Sequence, residues 1–235
     1  MTLLTTEIHN HNDPSRAIIV FAADRRISRG KKPDSSRRKV FQIPSMNAGI
    51  GYFGLAEVPS KNRTIPMEKW LTDYLSSAPA NSLQSFAESL AVELNASVPQ
   101  YIRQQCISGF HIAGFNNNGR LEFWYVRNVA DDRQTVFGVY EPREDFQARD
   151  ASLLKPGESQ IYRNGDIRAH VVAWETIDNS FGQLLGTPNF KVLSTPDEYA
   201  GWVKFKLEVI AMFYERYCSI SMIGSPVDAF SIVCA

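Results

Sequence analysis

The chain has 235 residues, 44% apolar and 21% charged, with 25 Lys and Arg balanced by 25 Asp and Glu. That size suits a single globular domain over 1–235, and the zero net charge argues against a globally basic nucleic-acid binder or an acidic disordered chain. No apolar run reaches the roughly 18–20 residues of a membrane helix, the first residues lack a basic start and a long apolar stretch, and three scattered cysteines fit neither a disulfide framework nor a zinc site. The expectation is a cytoplasmic protein without metal or cofactor.

In chain order, the first 58 residues read as β. Thr2 to His9 is rich in β-branched residues, and residues 11–15 carry turn chemistry. Ala17 to Ala23 is a continuous apolar run, so a hairpin is expected. A polar, basic loop is expected from Arg25 to Arg38. Two short strands follow, Lys39 to Ile43 and Ala48 to Gly54, joined by a turn over 44–47. Met67, Trp70, Leu71 and Tyr74 then recur at helical spacing. After Pro79, Ser82 is a candidate N-cap for a helix carrying Leu83, Phe86, Leu90 and Leu94.

A second β pair is expected at Cys106 to Phe115 and Leu121 to Val126, around the turn Asn116-Asn117-Asn118-Gly119. Residues 128–160 read as irregular. The spacing predicts a helix over 167–185, ended by Gly186 and Pro188. Another begins at Pro196-Asp197-Glu198, with Trp202, Phe205, Val209, Phe213 and Tyr217 as its buried stripe. A strand over 227–233 closes the chain. Two β blocks, each followed by helices, argue for an α+β fold: a four-layer αββα sandwich of two mainly antiparallel sheets flanked by helices.

Several residue types point to chemistry. Thr is small, so a preceding initiator Met is ordinarily removed, which leaves Thr2 with a free α-amine. Such a residue holds nucleophile and base together, because an amine with a pKa of about 7.7–8.0 can take the hydroxyl proton. Asp24 ends the second strand and Lys39 begins a later one. A buried Asp24–Lys39 pair beneath Thr2 would lower the pKa of the amine. Gly51 lies in a glycine-rich strand, where its N–H can serve an oxyanion hole or the small residue can ease sheet packing.

Other features have plainer readings. Eight of the fifteen residues from Arg25 to Lys39 are basic. Without interleaved aromatics they read as a solvated loop or a contact to an acidic subunit surface, rather than a nucleic-acid patch. His9 and His11, with Asp13 or His111, are the best metal candidates, but no recognised ligand spacing joins them. Glu175 and Asp178 read as an exposed acidic flank.

The ordered set Asp24-Arg25-Arg26-Ile27-Ser28, Lys39-Val40-Phe41-Gln42-Ile43 and Gly51-Tyr52-Phe53-Gly54 resembles the proteasome β-subunits and bacterial HslV-like peptidases. The resemblance resumes at Ile112 to Val126 and at Ile223-Gly224-Ser225-Pro226-Val227-Asp228. It implies the N-terminal-nucleophile hydrolase fold and peptide-bond hydrolysis through an acyl-threonine ester. Thr2 would be the nucleophile, Asp24 and Lys39 its supporting pair, and Gly51 the oxyanion donor. Arg26 and Ser28 would line the substrate channel. Self-association into a ring or open spiral, with a peptide or unfolded protein as substrate, is implied with it. The loop Asn10 to Arg16 is longer than that family's, which leaves Thr5 and Thr6 as alternative nucleophiles. The family's supporting Ser has no counterpart within Tyr162 to Asp166, and Ser219 or Ser221 are the nearest substitutes for its later polar residues. A catalytically inactive subunit acting in assembly or binding is the alternative reading.

Overall fold

The computed structural model describes residues 2–9, 16–29, 32–60, 63–78, 81–134, 140–152, 157–166, 169, 174–219 and 222–234; within these, the side chains of 28–29, 32–34, 60, 130–134 and 140 are outside the description. Strands β1 (Leu3–His9) and β2 (Ile18–Asp24) pair antiparallel as expected, with Leu4 opposite Ala23 and His9 opposite Ile18. Both are buried almost throughout, which is why 17–23 reads as an unbroken apolar run rather than an alternating one.

The basic stretch is not a loop. Its described parts form a hairpin, β3 (Arg26–Arg29) with β4 (Lys32–Ser36). Only Ile27 is buried among its described side chains, so the ladder leaves no apolar period in the sequence. Strands β5 (Val40–Ile43) and β6 (Ala48–Phe53) follow, then a second small hairpin, β7 (Glu57–Ser60) with β8 (Arg63–Pro66).

Helix α1 (Met67–Ser77) and helix α2 (Leu83–Ser97) stand where the periodicity places them. Ser82 and Ser85 form a reciprocal capping box at the start of α2, a feature worth about 1 kcal/mol. A short α3 (Gln100–Arg103) leads to β9 (Gly109–Phe115) and β10 (Leu121–Gln134). The region expected to be irregular contains the extension of β10, all of β11 (Tyr140–Asp150) and the start of β12 (Ser159–Gly165). Strands β11 and β12 lie at sheet edges, where one side of the ladder is unpaired and charged residues are tolerated.

Helix α4 (Glu175–Leu185) covers only the second half of the expected 167–185; residues 167–168 and 170–173 lie outside the described residues. Helix α5 (Pro196–Tyr217) and β13 (Val227–Val233) agree with expectation in extent. The buried stripe of α5 does not. Phe205, Phe213 and Tyr217 are 43%, 60% and 73% exposed, and the buried face carries Ala200, Val203, Lys206, Leu207, Ile210 and Ala211. The helix has two apolar faces, and the packed one contains a lysine whose charge is met by carboxylates from β1 and α4. A pattern that scores Lys as polar selects the other face.

The chain divides into two compact units, Met1–Val40 with Pro156–Val233 and Phe41–Lys155 with Cys234–Ala235. In the first, a sheet of order β12-β1-β2-β13 is antiparallel throughout, and α5 packs on β2 and β13. Its core joins Leu3, Val20 and Ala22 to Val203, Leu207 and Ile210. In the second, a sheet of order β11-β10-β9-β6-β5 carries α2 over β9, β10 and β11, with Ile50, Phe110 and Ile112 against Phe86, Leu90 and Leu94. Full burial of each such side chain contributes about 1.5–3 kcal/mol relative to exposure. The fold is therefore α+β, with antiparallel sheets and five helices among the described residues.

Candidate active site

The first unit brings three of the expected site residues to one end of its sheet. Antiparallel pairing sets Leu4 opposite Ala23, so Leu3 arrives beside Asp24 at the end of β2. The Leu3 N–H donates to Asp24 Oδ1 at 2.7 Å. Lys39, just before β5, donates from Nζ to the same oxygen at 3.0 Å and to the Arg26 carbonyl at 2.8 Å. Both side chains of the Asp24–Lys39 pair are 0% exposed, and Asp24 Oδ2 makes no hydrogen bond among the described residues. Burial pushes the Asp24 carboxyl above its ordinary value, against the pull of Lys39. Burial likewise holds the Lys39 ammonium below its ordinary value, against the pull of Asp24.

Thr2 is buried at the mouth of β1. Its carbonyl accepts the Asp166 N–H at 3.2 Å. Gly165, opposite Leu3 in the β1–β12 register, has φ +123°, and a Cβ there would stand 1.6 Å from the Thr2 oxygen. Thr2 is thus gripped through its backbone from two directions, by Asp24 through the next N–H and by the 165–166 corner. Sequence reading saw in Tyr162 to Asp166 only a missing serine. The Gly-Asp step ending a strand was the available signal for this close crossing.

The remaining candidates are distributed as follows. Gly51 is a buried residue in the middle of β6, in the second unit, opposite His111. Arg26 donates from Nη2 to Glu215 Oε1 at 2.6 Å and from Nη1 to the Ile223 carbonyl at 3.3 Å. Its guanidinium lies flat on Gly224, where a Cβ would come within 2.1 Å. Glu215 also accepts the Ser225 N–H at 2.9 Å, so Arg26 and Glu215 together fasten the end of α5 to the loop before β13. Ser28 lies in β3, and its side chain is outside the described residues. Thr5 Oγ1 is buried without a hydrogen bond among the described residues. Ser219 is exposed, while Ser221, His11 and Asp13 lie outside the description. His111 packs edge-on against Phe53, Phe123 and Tyr125.

A second buried polar cluster was not legible in the sequence. Lys206 Nζ donates to Glu7 Oε1 at 2.8 Å and Asp178 Oδ1 at 2.7 Å, with the ring centres of Trp174 and Trp202 at 4.7 and 5.5 Å. Arg163 pairs with Asp178 at 3.0 Å, and its guanidinium carbon lies 4.8 Å from the centre of the Trp174 ring. Burial works to raise the Glu7 carboxyl. It is outweighed by the His9 imidazole and the Lys206 charge, which hold Glu7 below the ordinary carboxylate range. Asp178, expected on an exposed flank, is the hinge of this cluster. Because Glu7 sits on β1, the cluster fixes the register of the strand that carries Thr2.

The fold these elements build has a solved counterpart. The chain is similar to the solved structure of Anbu (ancestral beta-subunit) from Yersinia bercovieri, with a TM-score of 0.54 and 11% identity, over 99% of this chain and 82% of that one. No family model matches the chain, and no curated protein does. The resemblance to proteasome β-subunits and HslV-like peptidases is corrected accordingly, because the likeness found is to Anbu, a distinct family of proteasome-like relatives. The short motifs behind that resemblance mark strand ends and close backbone crossings that a shared fold imposes. At 11% identity the likeness defines the fold and not the chemistry.

Proposed function

We propose that the chain is an N-terminal-nucleophile hydrolase that cleaves peptide bonds. The observation that carries this reading is the buried Asp24–Lys39 pair, bonded to the N–H of the residue that follows Thr2. Once Met1 is removed, the Thr2 amine takes the proton from Oγ1, and the oxygen attacks the peptide carbonyl carbon. A backbone N–H donor receives the developing oxyanion. Collapse of the tetrahedral intermediate breaks the C–N bond, and the leaving amine takes the proton held by the Thr2 ammonium. Water, deprotonated by the same amine, then hydrolyses the threonine ester and restores the hydroxyl.

Lys39 is a positioning residue in this scheme, its charge lowering the pKa of the amine so that more of it is free to act as a base, and Asp24 keeps that charge in place. Ser28 and the neighbourhood of Arg26 would form the channel wall for a peptide or unfolded segment. The reading places the protein in the cytoplasm, and no helix among the described residues is long and apolar enough to cross a membrane. The test is intact-mass spectrometry before and after a β-lactone. Loss of Met1 with a single adduct on Thr2, absent in Thr2→Ala, is expected. A Met1-free chain that never labels and turns over no peptide sinks the hydrolase reading.

The second reading, a subunit that acts in assembly without catalysis, is favoured by the solvent-facing aromatic residues of α5. Phe205 packs against Phe181 and Trp202, and further along the helix Phe213 packs against Tyr217, with Phe205, Phe213 and Tyr217 exposed. Exposed apolar patches of this kind mark association surfaces, and both readings include self-association into a ring or spiral.

A further inference from the structure

The hairpin turn 116–119 takes no part in the chemistry above, yet it walls a cleft of the second unit. This cleft, of about 840 Å³, lies between the turn after β5, the N-terminus of α2 and the β9–β10 hairpin, with Cys234 at its side. Its volume falls in the range of about 300–1,000 Å³ typical of ligand sites.

The lining has a definite chemistry. It contains no Lys, Arg or His, and Glu122 is its one acid. Glu122 is held in place, with Oε1 accepting from Asn116 Nδ2 at 2.7 Å and Oε2 facing Trp124 Nε1 at 3.4 Å. Asn116 Oδ1 in turn accepts the N–H groups of Asn118 and Arg120, each at 3.0 Å, which makes the turn rigid. Around this anchored base, the side-chain amides of Asn81, Asn117 and Asn118 make no hydrogen bond to another described residue. Phe115 and Leu83, both buried, form the apolar part of the wall.

We propose that this cleft binds a neutral oligosaccharide. An anion would meet a carboxylate with no cation to offset it. A purely apolar ligand would strip water from the amides without replacing their hydrogen bonds. Paired hydroxyls are met by amides, which donate and accept in one fixed plane, and by a carboxylate, which accepts twice. The C–H face of a sugar ring suits the apolar part of the wall. The inference is independent of any reaction at Thr2.

Cys234 supplies the readout. It is partly exposed, with Sγ 3.8 Å from the Gly119 carbonyl, whereas Cys218 is exposed on another part of the chain. Iodoacetamide alkylation of Cys234 is followed by mass spectrometry, with Cys218 as the internal reference. The probes are maltotriose, cellotriose and chitotriose; trialanine and glucose 6-phosphate are the contrasting ligands. At four times its dissociation constant, a binding trisaccharide slows Cys234 about fivefold, by the factor 1 + [L]/Kd, and leaves Cys218 unchanged. Asn81→Ala with Asn118→Ala, two solvent-facing changes, abolishes the protection. Unchanged alkylation with all three sugars, equal protection by trialanine or glucose 6-phosphate, or protection that survives the double substitution overturns the proposal.

Discussion

Lys39 Nζ and Asp24 Oδ1 stand 3.0 Å apart with neither side chain reaching solvent. The same carboxylate oxygen takes the Leu3 N–H. The pair therefore does two jobs: it closes the end of β2, and it fixes the backbone immediately after Thr2. Removing one member leaves a buried charge without its partner, which costs about 3–5 kcal/mol, whereas removing both leaves a neutral site. Lys39→Met is expected to destabilise the protein by that amount in urea unfolding. Lys39→Met combined with Asp24→Asn should recover at least half of the loss. A double variant as unstable as the sum of the two singles would show that the pair is not coupled.

Glu7 gives a stability change with a definite sign. Its folded pKa is held below the ordinary value of 4.5, so between the two values the unfolded chain binds more protons than the folded one. The stabilisation is fully present above 4.5 and is lost as pH falls through the folded value. Glu7→Gln should lower the urea midpoint at about pH 6 and narrow the gap between about pH 6 and pH 3 relative to the parent. An unchanged gap would remove Glu7 from the acid limb.

Gly165→Ala tests the grip on Thr2. The added methyl meets the Thr2 oxygen at 1.6 Å on a backbone with φ +123°, a conformation that costs an L residue about 1–3 kcal/mol before the clash is counted. The expected result is a loss of stability larger than that strain, together with loss of β-lactone labelling at Thr2. Labelling retained at the parental rate would show that the 165–166 corner does not position the N-terminus.

Asp178 is the test of how α4 is held. The helix buries none of its own residues, and Asp178 joins it to Lys206 and Arg163. Asp178→Ala should raise amide hydrogen exchange across 175–185 by roughly tenfold for each 1.4 kcal/mol lost, while β1 and β2 remain protected. Uniform acceleration over both regions would mean that the cluster supports the sheet rather than the helix.

For the outer face of α5, Phe213→Glu with Tyr217→Lys is expected to reduce the mass measured by light scattering, with the thermal midpoint unchanged because both side chains are largely exposed. A parental mass in the double variant would exclude this face from self-association.

Much of the fold was readable because local rules and tertiary packing agree. The capping serine and helical period gave α2, the proline and acids gave the start of α5, and a continuous apolar run gave β2. The rest failed where packing depends on distant charge. The buried face of α5 contains Lys206, and its partner Glu7 lies 199 residues away. The hairpin β3–β4 and the edge strands β11 and β12 have polar sequences, because ladders with little core contact need no apolar face. At the site, Asp24 and Lys39 were legible from strand ends fifteen residues apart. The contribution of Gly165 and Asp166 depends on a crossing between the two segments of the first unit, which no local pattern encodes.

The discontinuity of that unit also sets a timetable. β1 lies between β2, available within the first 24 residues, and β12, which is synthesised only after the whole of 41–155. The second unit, nearly continuous in sequence, can consolidate while the first is half made, since close pairings form ahead of distant ones. The corner that grips Thr2 is then among the last features to assemble. A chain interrupted before residue 165 leaves its N-terminus unclamped, so the candidate nucleophile comes into position only after the whole of the second unit's main segment has been made.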